Sequence, residues 1–270
     1  MGKSMMRFCS IASGSSGNCI YVGGGNTHIL IDAGCSKKKI VEGLKELDLE
    51  LKDISALFIT HEHSDHIGGL KVLLKNSEMP VYATKGTFEG IKDKDTNSLL
   101  ADRQKTIVRA EEAVSIRELS VKPFTVSHDA LEPVCYRVDS ANASAAVATD
   151  MGVFSDRLIK GLRGVDVLLL EANHDIRMLE SGPYPYSLKK RISGSKGHLS
   201  NDSAKELLIS LLHDDLKAVM LGHLSECNNL PELAYETVRV GIEMDDCPYK
   251  ASDFKITVAG RTEPSVPIEF

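Results

Sequence analysis

No stretch of this chain approaches the ~18 consecutive apolar residues of a membrane-spanning helix. Its first residues, MGKSMMRFCSIASG, carry too short and too polar a run for a secretory signal. A cytoplasmic protein with no membrane partner is expected. CxxC pairs are also missing. The six cysteines (Cys9, Cys19, Cys35, Cys135, Cys227 and Cys247) are scattered, several of them inside apolar strand-like runs. That pattern favours reduced thiols acting as small hydrophobes over a disulfide framework. Nor is there an excess of basic charge: 32 Lys and Arg against 38 Asp and Glu leave a net charge of −6. This argues against coating a nucleic-acid duplex by surface charge alone, but leaves room for an enzyme that holds phosphate with metal ions and a local basic patch. With 270 residues and 42% apolar content, the chain can bury the core of one large α/β domain or two small ones.

What the chain does have is concentrated in Phe58 to Leu70, FITHEHSDHIGGL. The apolar run Ala56 to Ile59 reads as a buried strand that breaks at Thr60, and His61, His63, Asp65 and His66 follow within six positions. Ile67-Gly68-Gly69-Leu70 is then expected to open a helix. Alternation aims the imidazoles of His61 and His63 the same way, while Asp65 and His66 lie past the bend. That arrangement suits two adjacent metal ions, placed where α/β proteins commonly put their chemistry.

Before the motif, Arg7 to Ile11, Cys19 to Val22 and His28 to Ile31 read as strands. The loop SGSSGN, Ser13 to Asn18, is either a plain hairpin turn or an anion-binding loop in which Ser15, Ser16 and Asn18 meet substrate. Ser36 caps a helix striped by Ile40, Val41, Leu44 and Leu47. Strand follows strand from Thr106 to Val138, and Ala145 to Ala148 adds another. In the second half, a helix around Phe154 to Leu162 precedes an apolar strand, Val165 to Leu170. A Gly-, Pro- and Lys/Arg-rich loop then runs to His198. Ser200 or Asn201 caps the next helix, Lys217 to Leu221 is a strand, and Pro231 opens a further helix. Phe254 to Val258 is the last strand, and no element is expected after Gly260. Strand–helix alternation in both halves, without a linker, predicts two β-sheets packed face to face with helices outside, an α/β four-layer αβ/βα sandwich.

Polar ligands recur just past apolar strands: His61, His128, Asp150, Glu171 and His223. One cation would take His61, His63 and His128, the other Asp65, His66 and His223, with Asp150 between them because a carboxylate has two oxygens. A water lying between two cations, its pKa lowered toward neutrality, would serve as the hydroxide nucleophile. Mixed His/Asp ligation suits Zn²⁺ and also admits Mn²⁺ or Fe²⁺.

These residues resemble the metallo-β-lactamase superfamily, whose HxHxDH signature stands here as His61-Glu62-His63-Ser64-Asp65-His66, with His128, Asp150 and His223 following in the expected order. The resemblance implies a single domain of that fold over 1–270. The interval from Asp150 to His223 is too short for the large β-CASP insertion. Asp150 stands where true β-lactamases often carry Cys, and His63 where flavodiiron oxygen reductases carry Glu. The segments SGSSGN, THEHSDH, SHDALEPV, LEANHD, GPYP, GHLSN and LGHLSECNN are similar to the YycJ/WalJ subfamily. That similarity implies a phosphodiesterase acting on DNA more than RNA, as a 5′→3′ exonuclease. By similarity to tRNA 3′-processing endonucleases, Glu171 orients His198, which protonates the leaving oxygen; Asp65 completes the catalytic set. Lys189, Lys190, Arg191 and Lys196 precede His198 and are expected to meet nucleic acid, with Tyr184 and Tyr186 stacking on bases. His174 is expected near phosphate, near the metal's outer partners, or as a loop cap. The competing expectations are a thioesterase or lactonase of the same fold, and a non-catalytic metal-binding scaffold.

Overall fold

The computed structural model describes residues 5–100 and 105–270. One sheet holds β1 (Met6–Ala12), β2 (Cys19–Gly24), β3 (Thr27–Ile31), β4 (Ile54–Phe58), β5 (Val81–Ala83), β6 (Lys105–Ile107) and β14 (Ile268–Glu269), in the order β14-β1-β2-β3-β4-β5-β6. The other holds β7 (Val114–Ile116), β8 (Leu119–Thr125), β9 (Val134–Asp139), β10 (Ser144–Ala148), β11 (Val167–Glu171), β12 (Ala218–Gly222) and β13 (Lys255–Val258), in the order β13-β12-β11-β10-β9-β8-β7. Both sheets have the same plan: antiparallel strands first, then a parallel run, from β3 to β6 in one and from β10 to β13 in the other.

Alternation along the strands sets the layers. In β11, Val167 and Leu169 enter the core between the sheets, whereas Leu168 and Leu170 face the outer core. Ala56 and Phe58 of β4 likewise point inward and Leu57 outward. Three apolar layers result, because the central strands such as β4 and β11 are buried on both faces. Outside the first sheet lie α1 (Lys37–Lys45), α2 (Ser64–Ile67), α3 (Leu70–Leu74), α4 (Lys85–Gly90) and α5 (Lys94–Leu99), and α1, α3 and α4 contribute directly to its outer core. Outside the second, α6 (Asp156–Leu162), α9 (Asn201–Leu211) and α10 (Pro231–Met244) do the same. The sandwich expected from alternation is therefore present. Phe58, fully buried just before the His-rich motif, packs on Tyr82 at 4.7 Å and edge-on against Tyr136 at 5.3 Å. Tyr136 also donates to the Ile59 carbonyl at 2.9 Å, tying the second sheet to the strand end that carries the motif. Removing Phe58 to alanine would cost about 3–5 kcal/mol.

Three expectations are corrected. The helix after β4 begins at Ser64, not at Ile67, so Asp65 and His66 sit on its only turn, and the Gly68-Gly69 pair separates it from α3. The segment before His198 is no loop: it holds α7 (Ile176–Ser181) and α8 (Tyr186–Ile192). Asp175 caps the first through Met178 N, and Pro185 is the N-cap residue of the second, so the residues that looked like breakers are helix starts. The tail past Gly260 returns as β14, pairing Ile268 with Phe8 at the edge of the first sheet. No helix among the described residues is long and apolar enough to cross a membrane, and all six cysteines are free.

Candidate metal centre

Both sheets contribute strand ends to one edge. His61 follows β4, Asp32 follows β3, His128 follows β8, Asp150 follows β10, Glu171 ends β11 and His223 follows β12. Asp32, Asp150 and His223 all have φ near +60°, at 64°, 61° and 56°. Such a conformation costs a non-glycine residue roughly 1–3 kcal/mol and persists only where surrounding contacts enforce it. At Gly34 the chain passes so close to the motif that a Cβ would lie 1.7 Å from the Asp65 carbonyl oxygen.

The expected ligands do converge. Ligand atoms of His61, His63 and His128 lie within 4.8 Å of one another, as do those of Asp65, His66 and His223, and those of His61, His66 and Asp150. Nε2 of His61 is 3.1 Å, and Nε2 of His128 3.3 Å, from Nδ1 of His63. Asp150 sits between the groups: Oδ2 is 3.2 Å from His66 Nε2, and Oδ1 is 3.3 Å from His223 Nε2 and 3.7 Å from His128 Nε2.

The outer partners explain which nitrogen faces inward. Thr60 Oγ1 donates to Asp32 and so offers a lone pair to His61 Nδ1 at 3.0 Å. His66 Nδ1 donates to Asp32 Oδ2 at 2.7 Å, His128 Nδ1 to the Gly197 carbonyl at 3.0 Å, and His223 Nδ1 to Asn18 Oδ1 at 3.2 Å. With the Nδ1 protons committed, Nε2 presents a lone pair. His63 is turned the other way, Nδ1 inward and Nε2 3.8 Å from Asp129 Oδ1. A set of converging lone pairs fits a cation. So does the Oδ2 of Asp150, which is buried and accepts no hydrogen bond. Divalent metal fits this donor set.

Charge within the protein alone follows the same geometry. Burial, with the neighbouring His66, pushes His61 well below the ordinary histidine value. Burial opposes charge on His66 as well, but Asp150 and Asp32 outweigh it and raise its pKa well above normal. Burial resists ionisation of Asp150, yet His223 and His66 hold it well below the carboxylate range.

Next to this centre, Glu171 has no exposed surface and its Oε1 accepts from His198 Nδ1 at 2.7 Å. Its Oε2 accepts from the Met151 and Leu199 amides. Burial would lower the His198 pKa; the Glu171 charge and hydrogen bond, with Asp150 and Asp65, raise it to about 9. Asp150, Glu171, His198 and His223 also come within 4.8 Å of one another. Both Glu171 oxygens, however, are engaged by donors, which favours an orienting role over ligation.

The expected substrate contacts divide. Ser15 is exposed and lines the cleft of about 230 Å³ over the centre, together with His63, Asp65, His198 and His223; Ser16 is exposed beside it. Asn18 is 3% exposed, and its side chain bridges Gly14 N, His223 Nδ1 and the Asp65 carbonyl, so it braces ligands inside the site. Arg191 pairs its guanidinium with both oxygens of Asp129, at 2.6 and 3.1 Å. Lys189 and Lys190 lie on α8 and Lys196 is exposed in the turn after it. Tyr186 is 81% exposed, while Tyr184 is half-buried in the cleft near Ser225. Burial drops His174 to about 4, and its Nδ1 has no hydrogen-bond partner. Sequence reasoning missed Asp32, Thr60 and Asp129. The only signal for Asp32 was its place at a strand end before Ala33-Gly34.

A profile of the β-lactamase superfamily domain matches residues 27–219. The chain is 38% identical over 238 residues to exodeoxyribonuclease YycJ of Bacillus anthracis, an alignment that spans 88% of this chain and 89% of that protein. The figures for exodeoxyribonuclease WalJ of Streptococcus pneumoniae serotype 2 are 38% identity and 88% of each chain. Among solved structures, the metallo-β-lactamase fold protein YhfI of Bacillus subtilis superposes with a TM-score of 0.72 over 99% of this chain and all of its own, at 13% identity. That likeness concerns the fold alone. With profile, sequence and architecture in agreement, the chain belongs to the metallo-β-lactamase superfamily and, within it, to the YycJ/WalJ group.

Proposed function

We propose that this metal-dependent hydrolase is a phosphodiesterase that uses two divalent ions, Zn²⁺ or Mn²⁺ with Fe²⁺ admissible, and removes nucleotides from the 5′ end of DNA in the cytoplasm, as a single domain over 1–270. The observation that carries the reading is the Glu171–His198 pair beside the two ligand groups. Ester or lactone hydrolysis on this fold does not need a separate cationic acid, whereas expulsion of a sugar alkoxide from a phosphodiester does. The names of the YycJ and WalJ relatives support DNA as substrate.

His61, His63 and His128 would hold one ion, Asp65, His66 and His223 the other, and Asp150 would reach both. When bound, the ions activate water and stabilise charge developing on phosphate oxygens. The chain's own residues do the rest. Asp65 takes a proton from the attacking water and passes it to solvent. Glu171 fixes the His198 ring through Nδ1 and stabilises its charge, leaving the Nε2 proton for the departing oxygen. Asp32 and Thr60 keep His61 and His66 in the tautomers that ligate. Lys189, Lys190 and Lys196, with Ser15 and Ser16, supply donors to the strand at the cleft.

The test is a substrate panel: metal-loaded protein with 5′-phosphorylated single- and double-stranded DNA, RNA and thioesters, beside Asp150→Ala. Nucleotide release from DNA that the variant abolishes is expected. Thioester turnover without nucleic-acid cleavage would overturn the nuclease reading in favour of a small-molecule hydrolase, and no turnover of any substrate would favour a scaffold.

A further inference from the structure

A second cavity, of about 470 Å³, adjoins the metal cleft, and His198 lines both. Its walls include His174, Tyr186, Lys189, Lys190 and Ser203. These are unlike the metal cleft in chemistry. Two ammonium groups stand on α8, one of them, Lys189, anchored by donation to the Glu180 carbonyl at 2.7 Å. An aromatic ring on the same helix is 81% exposed. His174, only 2% exposed, contributes a buried imidazole whose Nδ1 has no partner. Glu180 is the acidic group on this wall, so the lysines leave a net positive rim. The volume lies in the range of small-ligand pockets.

We propose that this cavity is the pocket for the terminal nucleotide, taking a nucleoside 5′-monophosphate with its phosphate toward Lys189 and Lys190. The proposal rests on the phosphodiesterase reading above and says which end of the substrate goes where. An acid must sit at the oxygen that departs, so whatever is bonded to that oxygen lies on the far side of His198 from the metal ligands. Hydrolysis adds water across the P–O3′ bond: water oxygen ends on phosphorus, Asp65 accepts its proton, P–O3′ breaks, and O3′ takes the His198 proton. The departing piece then keeps the 5′-phosphate, in the cavity with the two lysines. Tyr186 offers a stacking face tolerant of any base, and His174 and Ser203 offer hydrogen bonds to sugar and phosphate oxygens. A pocket of this size beside the acid has room for one nucleotide.

Two measurements on the metal-loaded full chain decide it. In the first, the affinity for deoxyadenosine 5′-monophosphate is compared with that for the 3′-monophosphate and inorganic phosphate. The 5′-isomer should bind about tenfold more tightly, the worth of one hydrogen bond to a charged group. Lys190→Ala, an exposed change, and Ser203→Trp, which fills the cavity, should each remove the preference. Equal affinities in the unaltered protein overturn the proposal whether or not it is a nuclease. In the second, 5′-phosphorylated and 5′-hydroxyl DNA are compared as substrates. A preference for the phosphorylated end that Lys190→Ala abolishes supports the pocket. Equal cleavage of both overturns the pocket and leaves the nuclease reading standing. Cleavage of neither sinks the nuclease reading, and the first measurement then judges the pocket alone.

Discussion

His198 Nδ1 lies 2.7 Å from Oε1 of a Glu171 that has no exposed surface. A buried carboxylate with one oxygen on an imidazole and the other on two backbone amides is held in a single orientation. The imidazole therefore has one nitrogen fixed and the other free to work at the cleft. Replacing His198 with alanine is expected to lower kcat by about 10²–10⁴-fold, the usual worth of a positioned acid. Metal content measured by elemental analysis should stay unchanged. Loss of metal would make His198 a ligand instead.

The same pair sets a pH dependence. His198 must be protonated to act as an acid, and its surroundings raise its pKa to about 9 against the opposing effect of burial. Cations bound nearby act in the opposite sense, so the alkaline limb of the kcat profile should lie at or below pH 9. Glu171→Gln removes the charge and should move that limb down by roughly one to three units. An unmoved limb would assign it to another group.

Asp32 orients His66 through a 2.7 Å hydrogen bond and organises Thr60 by accepting from both its amide and its hydroxyl. Asp32→Ala should weaken metal binding by about 10–100-fold, as loss of an outer partner of a ligand does. Titration with a competing chelator reads this directly. Wild-type affinity in the variant would reduce Asp32 to a packing residue.

Metal uptake should release protons. In the protein alone, Asp150 and Asp32 outweigh burial and hold the His66 pKa well above normal, which favours the protonated ring; as a ligand it must be neutral. Calorimetric titrations in buffers of different ionisation enthalpy should report net proton release at pH 7. Affinity should fall as pH is lowered, because protons then compete for the same nitrogen. Binding without proton release would exclude His66 from the ligand set.

Asp129 binds the Arg191 guanidinium with both oxygens and lies 3.8 Å from His63 Nε2. Asp129→Ala should loosen His63 and free α8, with a drop in metal affinity smaller than that of Asp32→Ala because the pair is partly exposed. An equal or larger drop would make Asp129 itself a ligand.

The architecture and the cluster of side chains proposed as ligands were legible from residue order for a simple reason. Five apolar runs end where a His, Asp or Glu of the candidate centre begins, and strands buried on both faces leave unmistakable runs such as Val167 to Leu170. Residue type alone marks His61, His63, His66 and His128, because few roles call for so many imidazoles. What only the tertiary structure decided concerns residues of ordinary type. Asp32 and Thr60 read as strand ends, and Asn18 as a turn residue or substrate contact, until folding brings each beside an imidazole whose tautomer it controls. Arg191 reads as a contact for nucleic acid until α8 brings it to Asp129. Periodicity is a local property, so it reports strands, stripes and strand ends. Hydrogen-bond partners far apart in sequence are chosen by how the two sheets meet, and that meeting determines which nitrogen of each histidine faces the candidate centre.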